Sequence, residues 1–373
     1  MIFEKAVNFT KLSVGLACSW PLRPDSTKKE KIKFELLWCL SLASALGLFV
    51  PLLYSIYEYQ SDSLILTKSV CFLGAVSGFI IKVIVCRIHR KRIQALITEM
   101  EEFVKNTKPH ERILLERYVR KCSFLHVSIT IINYMTTLVV IFGPFLMLDD
   151  QRFPTPAVYP FPIDHGPIMY LVYIHQSFVG FQCSVGATID CQAAFFMWYV
   201  GARFEMLTQE FQDIQDSWGL HESIRNHQKL LQLAENVKHT MSYIALTTTT
   251  MSGIGTVFSC LQLVGNQPMI VKMQFGPVAL ISIACLFVCA WPADNLIHVC
   301  GFVGSAAYNV PWTEMTPNAM KNVLMIIRRS QRPVVSSVGG FLPALSLRYY
   351  ASFLSTAFSY FTTLRITVNI DNQ

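Results

Sequence analysis

Residues 64–92 read LILTKSVCFLGAVSGFIIKVIVCRIHRKR. The first part, 64–86, is apolar almost throughout, and it ends in the cations Arg87, Arg90, Lys91 and Arg92. As a helix rising 1.5 Å per residue, 64–86 would reach about 34 Å, enough to cross ~30 Å of hydrocarbon. A backbone in lipid must satisfy its own hydrogen bonds, so such a segment is expected to be a helix. The basic run that ends it marks the side facing the cytoplasm.

The same pattern recurs on either side. Spans are expected at 34–57, 64–86, 122–148, 167–200, 241–265, 275–300 and 338–368. The fourth and seventh exceed what a bilayer requires, so part of each should project into water. About 25 of the 31 lysines and arginines lie before span one or between spans two and three, four and five, or six and seven. The alternate loops hold Glu58, Asp62, Asp149, Asp150 and Asp164 with few bases. The expected fold is all-α: one seven-transmembrane helix bundle over 1–373, with a cytoplasmic N-terminal segment 1–33 and an extracellular C-terminus. That orientation is opposite to a G-protein-coupled receptor.

Composition agrees. The chain is 52% hydrophobic and 15% charged, against about 25% charged residues in soluble domains. The net charge of +7 reads as a topology signal and gives no reason to invoke nucleic acid. Eleven cysteines at irregular spacings make neither a disulfide framework nor a metal site. No cleaved leader is expected, since Glu4 and Lys5 interrupt the N-terminus. There is no HExxH, no GxSxG and no phosphate-binding glycine loop, so neither enzyme, metal nor cofactor is expected.

Helical stripes continue beyond the spans, giving anchor helices within 201–240 and 301–337. Phe204, Leu207, Phe211, Ile214 and Trp218 alternate at spacings of three and four, which is one face of a helix extending span four. Ile93, Leu96, Ile97, Met100 and Phe103 form a second stripe, and Met320, Val323, Leu324 and Ile327 a third, in a helix starting near Thr316-Pro317. Such faces must bury against something, either inside one subunit or between subunits. Pro154, Pro156, Pro160, Pro162 and Pro167 rule out helix between spans three and four, and a rigid cap over the outer mouth is expected there.

Charges inside spans are few. Lys82 and Asp294 are expected to snorkel at inner ends, Asp190 to hydrogen-bond between helices, and Arg348 stands well inside the last span. Aromatic side chains crowd the outer halves: Phe72, Tyr134, Phe142, Tyr170, Tyr173, Phe178 and Phe181. Phe72, Tyr134, Phe142, Phe178 and Phe181, with Val76, Leu138, Ile174 and Val278, outline a candidate pocket for a small apolar molecule. The other reading is lipid-facing or helix-packing aromatics.

The C-terminal third carries a set of ordered motifs. Ser305-Ala306-Ala307-Tyr308-Asn309-Val310-Pro311-Trp312 precedes a basic helix ending in Gln331-Arg332-Pro333. Gly339-Gly340, Leu345-Ser346-Leu347, Tyr350 and Ser359-Tyr360-Phe361-Thr362-Thr363-Leu364 follow. In order and spacing these resemble the insect odorant receptor family. Upstream, Tyr159-Pro160-Phe161 with Pro167, Tyr170, Tyr173 and Gln176 resembles the family's approach to its fourth span, and Asp190 stands where an aspartate is common there. The resemblance implies an odorant-binding subunit of a ligand-gated, non-selective cation channel in the plasma membrane of a sensory neuron dendrite, partnered in a heterotetramer by a shared co-receptor. The long insertion that marks the co-receptor is missing between spans four and five. By the same resemblance the last span would line the pore, with Thr363 at the gate beside Tyr360, Thr362 and Ile366, although a hydrophobic residue often stands at that place. Tyr308, Trp312, Phe211 and Trp218 would serve the anchor that joins subunits. The rival readings are a gustatory-type channel acting without the co-receptor, a G-protein-coupled receptor or a small-molecule transporter.

Overall fold

The computed structural model describes residues 2–146, 152–163, 166–214, 217–264, 268–338, 341 and 343–370; nothing is said of the side chains of 2, 146, 217, 264, 364 and 366–370. Among them the chain is helical and contains no strand. The helices are α1 (Ile2–Ser13), α2 (Lys28–Glu58), α3 (Ser63–Ile88), α4 (Arg90–Asn106), α5 (Pro109–Leu146), α6 (Gly166–Gln212), α7 (Ser217–Val264), α8 (Met269–Tyr308), α9 (Pro317–Ser330) and α10 (Leu347–Ile370).

Local signals set several starts. The Thr27 side chain accepts from the Glu30 amide while the Glu30 carboxylate accepts from the Thr27 amide, closing a capping box on α2. Asp62 accepts from the amides of Leu64 and Ile65 at 3.0 and 3.1 Å and so starts α3. Thr316 caps α9, with Pro317 in its first turn where no amide hydrogen is needed.

Among the described residues five helices are long and apolar enough to cross a membrane: Lys28–Glu58, Ser63–Ile88, Pro109–Phe145, Trp218–Leu263 and Met269–Tyr308. The other two expected crossings fall on α6 and α10. α6 is less apolar because it stands at the centre, packed by α2, α3, α5, α7 and α8. Its buried side chains include Gln176, Gln182, Ser184, Thr188, Asp190 and Gln192, shielded from lipid by the ring of helices. Most of these polar groups find a partner on a neighbouring helix, on the loop at Thr155 or at Ser19, which makes their burial tolerable.

The N-terminal segment packs back onto this centre. Phe3 of α1 lies against the rings of Phe195 and Tyr199 at 5.5 and 6.3 Å. Thr188 donates to the Ser13 carbonyl, and Ser19 to Gln192 at 2.8 Å. α6, α7 and α8 each run on without a break into the stretches expected as anchor, and α9 packs on α8. The two meet closely at Gly304, where a methyl group would stand 2.9 Å from Ser330 Cβ.

One expected boundary is corrected. The last helix does not run from 338; it begins at Leu347. Pro333, Gly339-Gly340 and Pro343 precede that start, and proline withholds an amide and disfavours helical backbone just before it. The outermost ends of the third and fifth expected spans, 147–148 and 265, lie outside the described residues.

Candidate functional site

A cavity of about 210 Å³ lies inside the bundle. One ordered water needs only ~10–15 Å³, so the space exceeds a single water's, and it is smaller than the ~300–1,000 Å³ typical of sites for drug-sized ligands. α3 supplies Phe72, Val76 and Phe79; α5 supplies Asn133, Thr137, Val140 and Ile141. α6 contributes Val179, Gly180, Cys183 and Ala187, while α7 and α8 add Met251, Ser252, Val278 and Ser282.

The roof is the proline-rich loop, whose Pro154 and Thr155 line the cavity. Gln176 of α6 ties it down: its side-chain oxygen accepts from the Thr155 amide and hydroxyl, each at 3.0 Å. Its amide nitrogen faces Tyr159 Oη at 3.4 Å. The Val158 amide donates to the Pro51 carbonyl of α2 at 3.1 Å. The cap expected from the prolines is thus a fastened lid.

The floor is ionic. Lys82 of α3 is buried and donates to Asp190 Oδ2 at 2.7 Å and to the Gly186 carbonyl at 3.2 Å. The other carboxylate oxygen of Asp190 lies 2.6 Å from the Thr248 hydroxyl of α7. One carboxylate therefore joins α3, α6 and α7. Lys82 does not snorkel, as its position near an inner end suggested. A buried counter-ion holds it instead, because an intramembrane ammonium is stabilised more by a fixed carboxylate than by a distant interface. Asp190 makes the interhelical bond expected of it. The sequence signal for the pair is opposite charge inside two apolar helices, each followed by a cationic inner end (Arg87 and Arg203).

Of the nine expected pocket residues, Phe72, Val76 and Val278 line this cavity. The other six do not. Phe142, Ile174 and Phe178 face outward with 54%, 64% and 42% exposure, and Leu138 is half-buried away from the cavity. Tyr134 and Phe181 pack on each other between α5 and α6, ring centres 6.2 Å apart. The reason is helical phase: the walls of α5 and α6 are made of small and hydroxylated residues, and the aromatics on the same helices turn to lipid or to packing. Size drew attention to the wrong face.

A second, wholly apolar groove of about 410 Å³ separates α7 from α10. Gly253, Ile254 and Phe258 line one side; Phe353, Tyr360 and Thr363 line the other. Thr362 is not among its lining residues, and the Ile366 side chain lies outside the described set. Among the described residues α10 packs chiefly on α7 and α8. Its N-terminus is held by Asp294 of α8, whose Oδ1 accepts from the Leu347 amide at 3.2 Å. Asp294 was expected to snorkel; it caps a neighbouring helix. Tyr350 packs against Phe287 of α8, ring centres 5.4 Å apart.

At the far end, Phe204, Leu207, Phe211 and Ile214 are buried inside their own chain. Phe211 therefore packs helix to helix and offers no surface to a neighbour. Trp218 and Tyr308 remain exposed, at 76% and 62%, and Trp312 is half-buried, donating to the Tyr308 carbonyl at 3.0 Å. His227 is buried in α7 against the Phe204 ring. Burial, helped by the charge of Arg329, pushes its imidazole down to about 4.

The family described as 7tm odorant receptor matches residues 63–358. Odorant receptor 10 of Aedes albopictus is 26% identical over 179 residues, 45% of this chain and 47% of that protein. Odorant receptor Or2 of Anopheles gambiae is 24% identical over 150 residues, 40% of this chain and 39% of that protein. The matches thus span half or less of those two relatives. Odorant receptor 13a of Drosophila melanogaster is 23% identical over 99% of this chain and 97% of its own. In fold, the olfactory receptor OR5 of Machilis hrabei superposes with a TM-score of 0.85 at 13% identity, covering 97% of this chain and 98% of that one. Its complex with eugenol gives 0.84 at 15% identity, over 98% of each.

Proposed function

The chain belongs to the 7tm odorant receptor family, a multi-pass membrane family of receptors rather than enzymes, and from that premise we propose that it is an odorant-binding subunit of a ligand-gated, non-selective cation channel. In this reading it assembles with a shared co-receptor in the plasma membrane of a sensory dendrite, N-terminus in the cytoplasm. A small volatile enters the cavity under the proline-rich lid. The observation that carries the reading is the cavity itself, walled in part by the same α7 and α8 against which α10 chiefly packs.

Gating needs a ligand that binds the open arrangement better than the closed one. Occupancy of the cavity bears on Met251 of α7 and on Val278 and Ser282 of α8. Those helices bear in turn on α10 through Phe353, Tyr350 and the Asp294 cap. Outward movement of α10 would widen a constriction near Tyr360 and Thr363 and allow it to wet. Trp218 and Tyr308, whose rings are exposed in the single chain, and the half-buried Trp312 beside Tyr308 are assigned to contacts between subunits. The odorant complex of the Machilis receptor supports ligand binding by this fold.

The test is whole-cell current during a volatile panel, with the chain expressed alone and beside the co-receptor. Current from the pair only is the expected result. Current from the chain alone would favour a self-sufficient, gustatory-like channel. Silence from both despite surface expression would overturn the channel assignment.

A further inference from the structure

The walls of the cavity are largely apolar or hydroxylated, with the Asn133 carboxamide among them, and most of the hydroxyls already have partners. Thr137 and Ser184 stand 2.5 Å apart, and Ser282 donates to the Val278 carbonyl of its own helix. The floor differs. An ammonium group has three N–H donors, and Lys82 spends two, on Asp190 Oδ2 and on the Gly186 carbonyl. Both oxygens of Asp190 are engaged, one by Lys82 and one by Thr248. What the pair presents to the cavity is therefore a donor without an acceptor, attached to a full positive charge and lying in a wall otherwise suited to hydrocarbon.

We propose that this floor selects the chemical class of the ligand: an apolar body carrying one terminal oxygen acceptor, a ketone, aldehyde or ester carbonyl, that takes the third N–H of Lys82. Asp190 acts as a positioning residue, fixing the ammonium at the floor through the second oxygen's bond to Thr248. The proposal rests on the cavity being the ligand site. Its logic is the asymmetry of buried polar groups. A hydrocarbon leaves the Lys82 donor unpaired, a ketone satisfies it, and an amine, protonated at neutral pH, has no lone pair to offer and brings a second positive charge beside Lys82.

Three probes with one carbon skeleton separate these cases: heptane, heptan-2-one and 2-aminoheptane. Binding is read from the ligand-dependent rise in melting midpoint of the purified full chain in lipid nanodiscs, so that no gating step intervenes. The ketone is expected to bind about tenfold or more tightly than heptane, and the amine no better than heptane. In the double variant Lys82→Met/Asp190→Val, which removes both charges together, the ketone-to-heptane ratio should fall toward one. Equal affinities for ketone and heptane in the unaltered chain would overturn the proposal, as would tightest binding of the amine or a ratio that survives in the double variant. These results leave the cavity a ligand site. Failure of all three probes to bind would instead overturn the cavity reading and the floor with it. Because the probe series is decided on the unaltered chain, poor folding of the double variant does not spare the proposal.

Discussion

Breaking the Lys82–Asp190 pair from one side should destabilise the protein far more than deleting it from both. At 2.7 Å, two unit charges attract by about 6 kcal/mol when the effective dielectric constant is about 20. Removing both ions from water opposes this with several kcal/mol each, so the net contribution of the intact pair is small. One ion left alone in the core keeps its desolvation penalty and loses the attraction. Lys82→Met or Asp190→Val alone is therefore expected to lose about 3–5 kcal/mol. The double variant exchanges two charges for apolar groups, and Thr248 keeps its other acceptor, the Ile244 carbonyl at 2.9 Å. It should lie within about 1–2 kcal/mol of the parent, a coupling of at least ~3 kcal/mol. Fluorescence-detected melting in detergent reads this directly. At roughly 2 °C per kcal/mol for a chain of this size, each single change lowers the midpoint by about 6–10 °C while the double stays within a few degrees. A double variant that falls by the sum of the singles would show that the residues act independently and refute the reasoning. A harmless single variant would show that the residual charge reaches water.

Three further outcomes follow from contacts on the other elements. Gln176→Leu removes the acceptor for the Thr155 amide and hydroxyl, a loss of about 1–3 kcal/mol; hydrogen exchange over 152–163 should accelerate and ligand dissociation quicken, with the α2 segment around Pro51 unchanged. Asp294→Ala deletes the cap that α8 lends to α10, worth about 1 kcal/mol by analogy with N-caps; amide exchange near Leu347 should rise and the ligand dose-response shift, and a Asp294→Asn change should restore most of the loss because it keeps an acceptor. His227 is held neutral, its pKa lowered from 6.5 to about 4 by burial. The unfolded chain binds that proton first, so stability is full above pH ~6.5, declines as pH falls, and is wholly lost from this group below ~4. Melting midpoints between pH 7.5 and 5 should fall in the parent and fall less in His227→Leu; parallel curves would exclude His227 as the cause.

The sequence by itself determined the class of molecule. Long apolar helices follow from the bilayer's demand that every backbone group be satisfied within the segment, and 64–92 declares this in one line. Stripes such as Ile93, Leu96, Ile97 and Met100 announced a buried face, and all four are buried in α4. The start of α9 at Thr316-Pro317 was legible because capping is local. Phase and partner were not. Whether an α5 residue faces cavity, neighbour or lipid depends on how the helix is rotated against α6 and α8, and a list of aromatics carries no such angle. Thr136 and Thr137 therefore reach the cavity while Tyr134 and Phe142 turn away. The same holds for charge. Lys82 and Asp294 each looked like an isolated charge near a membrane surface, and the interhelical bond expected of Asp190 had no named partner. Only packing could bring residues more than a hundred positions apart within 3 Å, so that Lys82 found Asp190, and only packing could set the Leu347 amide beside Asp294. Burial energy depends on distance in space, and that quantity is fixed when the helices pack.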